Sequence, residues 1–183
     1  MSKKVYVLLA EGFELIEAMT PVDVLRRGGA EVITVSITNN KEVTSAQKVT
    51  LKSDILISEK DITDGDMLIL PGGYPGYINL GESQEVGKIL KYYAENDKFV
   101  GAICGAPTVL AKNSVFLGKE VTCHSSVVEE MKGYTCNGKK AFSDGNLVTG
   151  MGAGLSLDFA FALAEKLLDT ETILKIKKGM ELS

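Results

Sequence analysis

The sequence predicts an α/β domain, a mostly parallel sheet covered by helices on both faces. Short apolar runs alternate repeatedly with amphipathic stretches, the pattern that strand–helix units produce. The apolar runs are near-continuous and do not alternate with polar residues, as expected of strands buried on both faces. No internal repeat, low-complexity tract or linker breaks the 183 residues, so residues 1–183 read as one domain of ordinary size.

Residues 5–9 (Val-Tyr-Val-Leu-Leu) are the first strand. Residues 14–27 have helical spacing, and Gly28-Gly29 stops that helix. Residues 32–35 are a second strand. Between 41 and 58, β-favouring pieces sit among polar turns, which predicts a hairpin or a short antiparallel addition. Residues 67–70 form a buried strand that ends at Pro71-Gly72-Gly73. Residues 83–93 form a helix with Val86, Ile89, Leu90 and Tyr93 on one side. Residues 99–103 form a strand running into Cys104, and residues 107–112 form the next helix, with Pro107 in its first turn. Residues 121–123 read as a short strand and 147–149 as the last of the parallel set. Helices over 155–168 and 170–178 close the chain.

Composition narrows the function. Hydrophobic residues make up 45%, enough for a full core without a disulfide or metal staple. A net charge of −4 argues against nucleic acid as the main partner and against anionic membranes, because both need a basic face. The opening Met-Ser-Lys-Lys leads straight into the first strand with no signal-type apolar region. No window approaches the roughly 20 apolar residues of a membrane-spanning helix. Three cysteines without a CxxC pair form neither a disulfide framework nor a zinc site. The expectation is a reducing cytoplasm with free thiols.

In an open parallel sheet the ligand site lies beyond the carboxyl ends of the strands. The loops there carry Glu14 and Glu17, Pro71-Gly72-Gly73, Cys104-Gly105, His124 (the one histidine) and Gly150-Met-Gly152-Ala-Gly154. Ala102-Ile-Cys104-Gly-Ala106 fits a nucleophile elbow, small–x–nucleophile–x–small, in which small flanking residues let strand and helix approach around a sharp turn. A following helix N-terminus favours thiolate. The other reading of Cys104 is a buried structural thiol. Gly72-Gly73 is either a plain turn or a source of free N–H groups for a developing oxyanion. His124 is either a general base for Cys104 or a local hydrogen-bonding group. Pattern alone makes Glu17 a solvated surface residue ahead of a desolvated carboxyl. It makes Cys136 an incidental exposed or edge thiol. Adjacent Cys123 and His124 point to opposite faces of a strand, so no metal is expected. The first strand–helix turn lacks GxGxxG and carries carboxylates that would repel a pyrophosphate. The glycines at 150–154 are a weak match, so no nucleotide or other cofactor is expected.

With these residues in place, the chain resembles the ThiJ/PfpI superfamily, and within it the branch of the parkinsonism-associated protein deglycase and its bacterial relatives. The match runs nearly end to end, through residues 5–10, Glu17, Pro21-Val-Asp23 to Arg27, Leu70-Pro-Gly-Gly73, Ala102-Ile-Cys-Gly-Ala-Pro107, His124 and Gly152-Ala-Gly154. The resemblance implies a flavodoxin-like three-layer sandwich and a homodimer. It implies Cys104 as nucleophile, Glu17 as its carboxyl partner, backbone stabilisation by Gly72, Gly73 and Gly105, and His124 nearby. It also implies cofactor-free glyoxalase or deglycase chemistry on methylglyoxal-type dicarbonyls and on glycated protein side chains, with protection against oxidative stress. Peroxide sensing through Cys104 and redox-regulated chaperone activity are the alternatives. A cysteine peptidase ranks below them, because that branch has His directly after its cysteine and this chain has Gly105. A class I glutamine amidotransferase would need a His-x-Glu pair, whereas His124 precedes Ser125-Ser126. Gln47 stands where some members carry an arginine near the site.

Overall fold

The computed structural model describes residues 2–182. Its main sheet has seven strands in the order β10-β11-β7-β6-β1-β2-β5. In chain order these are β1 (Lys4–Leu9), β2 (Glu31–Ser36), β5 (Ile55–Leu56), β6 (Met67–Leu70), β7 (Phe99–Ile103), β10 (Ala141–Asp144) and β11 (Leu147–Gly150). All neighbours are parallel except the edge pair β10–β11. Taking only β2-β1-β6-β7-β11 gives the flavodoxin-like order 2-1-3-4-5. A separate antiparallel hairpin joins β3 (Glu42–Thr44) to β4 (Thr50–Lys52), as the 41–58 segment predicts.

Strand pleating splits the core in two. Val5, Val7 and Leu9 of β1 face one apolar cluster, and Tyr6, Leu8 and Ala10 face the other. The first cluster takes α1 (Leu15–Arg27), α5 (Ser156–Leu167) and α6 (Thr170–Gly179). The second takes α2 (Gly76–Glu82), α3 (Gln84–Glu95) and α4 (Pro107–Lys112). The result is three layers. Ser83, read from sequence as the first residue of a helix, is the N-cap of α3, its side chain accepting from the Val86 N–H. Asp169 caps α6 in the same way through Thr172. Among the described residues no helix is long and apolar enough to cross a membrane.

Three differences from the sequence reading stand out. The run 121–123 does not join the parallel set: β8 (Glu120–Val121) pairs with β9 (Thr135–Cys136) in a two-stranded ribbon of its own. An apolar run of three reports burial, not which sheet it enters. Strand β10 has no signal in the sequence, because Ala-Phe-Ser-Asp lies at an edge, half-buried throughout, and has no strong pattern. Helix α2 has none either, because seven residues with two glycines give no helical periodicity.

The chain turns opposite ways from β1 and β6: β1 leads to β2 on one side, and β6 leads to β7 on the other. The crevice between β1 and β6 is therefore the topological switch point, where this architecture binds ligands. The loops after β1, β6 and β7 meet there.

Candidate active site

Cys104 occupies the turn between β7 and α4 with φ +65, the left-handed region that a residue with a Cβ avoids at a cost of roughly 1–2 kcal/mol. The sheet holds it there. The Cys104 N–H donates to the Gly150 carbonyl at 2.9 Å, and the His124 N–H donates to the Cys104 carbonyl at 2.9 Å. The thiol is partly buried.

Glu17 lies on the buried side of α1 beside Ala18, Pro21 and Val22, and is 0% exposed. This corrects the pattern reading of a solvated surface carboxylate. Pro21 lacks the N–H that would bond to the Glu17 carbonyl, so the helix ladder is open at this residue. One carboxyl oxygen, Oε2, accepts the Gly72 N–H at 2.9 Å. The other, Oε1, is buried without a hydrogen bond of ordinary geometry, and the Cys104 thiol is the group beside the carboxyl that can supply one. Burial pushes the Glu17 carboxyl up to about 7. The Cys104 thiol and the Gly72 N–H pull against that rise, and nearby Glu14 adds to it.

The thiol does not follow the expectation from the helix N-terminus. Burial pushes Cys104 up to about 12, and the charge and hydrogen bond of Glu17 push the same way. Backbone groups of Gly105 and Gly73 oppose them and are outweighed. α4 has only six residues, fewer than two turns. Two of the three largest causes are the ionised form of Glu17. Protonating Glu17 removes that charge and turns its oxygen into a donor, which favours thiolate. The two titrations are therefore linked: with burial the larger cause, an ionised Glu17 adds to the hold on the Cys104 proton.

Close packing explains the glycines. A Cβ on Gly72 would lie 2.6 Å from both Cys104 Cβ and Glu17 Oε2, so no side chain fits between thiol and carboxyl. Gly73 has φ +91, and a Cβ there would meet the Glu14 backbone nitrogen at 2.2 Å. The structure changes one expected role. The Gly72 N–H is engaged by Glu17, so it is not a free oxyanion donor, whereas the backbone groups of Gly73 and Gly105 act on the sulfur.

His124 is near but differently employed. Its exposed ring accepts the Ser126 N–H at Nδ1, 3.2 Å away, with Ser126 Oγ at 2.8 Å, which caps the 3-10 turn Ser125–Glu130. That acceptor role leaves the proton on Nε2. The backbone of His124, not its ring, supports Cys104. On its far side the ring lines an apolar hollow of about 490 Å³ with Met151, Gly152 and Leu155. Gln47 is tied to the start of α1, accepting the Leu15 N–H and donating to the Glu14 carboxylate, so a neutral amide stands at this rim. Sequence reasoning missed Tyr77. Its ring lies over Gly105, where a Cβ would meet it at 2.6 Å, and no local motif announces that contact.

Residues 3–166 match the model of the DJ-1/PfpI family. The chain is 35% identical to Protein dj-1beta of Drosophila melanogaster over 182 residues, covering 98% of this chain and 97% of that one. The crystal structure of Drosophila DJ-1beta superposes with a TM-score of 0.94, at 34% identity and full coverage of both chains. The chain is also 31% identical to the glutathione-independent glyoxalase DJR-1.2 of Caenorhabditis elegans, covering 90% of this chain and 89% of that one. On a sandwich with this strand order and a cysteine at this elbow, those matches have one reading: the chain belongs to the DJ-1/PfpI family.

Proposed function

We propose that this protein is a cofactor-free glyoxalase of the methylglyoxal type, with Cys104 as nucleophile and Glu17 as proton carrier. The observation that carries the reading is the buried Glu17 carboxyl, held near neutrality beside a thiol at a strained elbow. The similar protein named a glyoxalase supports the substrate class.

In this reading the Cys104 sulfur bonds to the aldehyde carbon of the dicarbonyl, and its proton passes through Glu17 to the aldehyde oxygen, which gives a hemithioacetal and leaves Glu17 as carboxylate. Glu17 as carboxylate then moves the proton of that carbon to the ketone oxygen, forming an enediol, and moves the proton of the first hydroxyl to the neighbouring carbon. The product is a 2-hydroxy thioester. Water cleaves it to a hydroxy acid such as lactate and regenerates the thiol, with no net redox change. A carboxyl near 7 suits both directions of transfer, because neither form is strongly disfavoured at neutral pH. Gly73 and Gly105 steady charge on the sulfur side, and His124 shapes the pocket wall. Deglycation of modified side chains would begin with the adduct expelling its own thiol or amine to regenerate the aldehyde, which Cys104 then takes up in the same way, and a homodimer, expected from the resemblance, would complete the assembly.

The test is methylglyoxal consumption with lactate detection in wild type, Cys104→Ala and Glu17→Ala. Glu17→Ala should lose on the order of 10²–10⁴-fold in turnover, and Cys104→Ala should show none. Measurable turnover in Cys104→Ala would sink the mechanism. Peroxide sensing at Cys104 is the second reading, since a protonated Glu17 would donate to a sulfinate oxygen at the same place.

A further inference from the structure

The other two cysteines form a site of their own. The ribbon β8–β9 aligns Val121 with Cys136, and Cys123 lies two residues beyond Val121, so its side chain turns the same way. The two sulfurs are 3.9 Å apart. Cys123 is 4% exposed, whereas Cys136 is partly open to solvent. The pair therefore has one face that a small oxidant can reach and a second thiol immediately behind it. Cys123 also precedes His124, whose N–H supports the Cys104 carbonyl.

We propose that Cys123 and Cys136 are a dithiol modification site that closes to an intrachain disulfide on exposure to a hydroperoxide, independently of Cys104. The steps balance. The Cys136 sulfur attacks one peroxide oxygen, the O–O bond breaks, and Cys136 sulfenic acid forms with release of water or an alcohol. The Cys123 sulfur then displaces the hydroxyl from Cys136, its own proton leaving with that hydroxyl as water. The two sulfurs are oxidised by two electrons in all, and the peroxide is reduced by two. Bond formation closes a gap of about 2 Å, which side-chain rotation with a small shift of the ribbon supplies. Burial and the neighbouring Cys136 thiol both hold Cys123 in its protonated form, so closure is slower than oxidation of a free thiolate.

The experiment treats the full-length protein with hydrogen peroxide, blocks remaining thiols and maps tryptic peptides without reduction. Cleavage after Lys119, Lys132 and Lys139 separates the two cysteines. The expected product is a cross-link between residues 120–132 and 133–139, lighter than the sum of the two peptides by two hydrogens. It should be reversed by dithiothreitol, remain in Cys104→Ala, and be absent from Cys136→Ser. In Cys123→Ser, Cys136 should stop at the sulfenic acid and be trapped by dimedone. A cross-link through Cys104, a disulfide between chains, or full alkylation of both thiols after peroxide treatment would overturn the proposal. Sulfinic acid at Cys136 without any cross-link would do so too.

Discussion

Replacing Glu17 by glutamine separates what the carboxyl does for function from what it does to stability. The folded protein raises this carboxyl from 4.5 to about 7, chiefly by burial. At about 1.4 kcal/mol per tenfold change in proton affinity, the charged form is disfavoured in the fold by about 3 kcal/mol. Between those two values the folded state keeps a proton that the unfolded chain has released. Wild type therefore loses stability as pH rises from about 4.5 through about 7, and carries the full penalty above that. Glutamine has no charge to bury, and its side-chain oxygen can still accept the Gly72 N–H. Glu17→Gln should accordingly be more stable than wild type at pH 8 by up to about 3 kcal/mol, a rise in Tm of roughly 6–12 °C for a chain of this length. The gap should shrink toward zero near pH 4.5, and glyoxalase turnover should be lost at every pH. Thermal unfolding followed by circular dichroism between pH 4.5 and 8.5 measures the difference. Cys104 feels the Glu17 charge but is held up near 12, outside this range, and the remaining titrating groups are common to both proteins and cancel. A variant no more stable than wild type at pH 8, or a gap that does not change with pH, would refute the argument that Glu17 is charged against the preference of the fold.

Two further substitutions test the packing around the sulfur. Gly105→Ala places a methyl group 2.6 Å from the Tyr77 ring and should destabilise by about 1–3 kcal/mol in urea unfolding. In a Tyr77→Ala background most of that loss should vanish, so a coupling energy indistinguishable from zero would place the strain elsewhere. His124→Ala removes the cap on Ser126 and should cost about 1 kcal/mol of stability, while turnover stays within about tenfold of wild type. A loss as deep as that of Glu17→Ala would make the ring a proton carrier.

The legible parts of this fold were those where local sequence and burial agree. β1, β6 and β7 could be read because all their central residues are apolar, and parallel strands with helices on both sides require that. Cys104 could be read because an elbow needs small neighbours on either side, and those neighbours are adjacent in sequence. Glu17 could not. Its burial is decided by Gly72, 55 residues away, and by the sulfur of Cys104, and nothing in Leu-Ile-Glu-Ala records either. The pairing of Cys123 with Cys136 was hidden for a similar reason. It depends on two-residue strands whose partnership no periodicity reveals. The partner of Gly72 is not legible either, because a Pro-Gly-Gly turn shows that N–H groups are available, not which carboxylate arrives to take them.

The suspension of Cys104 between Gly150 and His124 bears on how this chain can drift. Both supports are main-chain atoms, and a main-chain N–H or carbonyl survives almost any change of the side chain attached to it. The elbow can therefore outlast wide replacement along β11 and in the segment leading to His124, provided the strands keep their register. The space between sulfur and carboxyl has no such latitude, because a single added carbon at Gly72 would occupy it. Tolerance to mutation is thus broad in the scaffold that aims the thiol and nearly absent in the few ångströms where thiol and carboxyl meet.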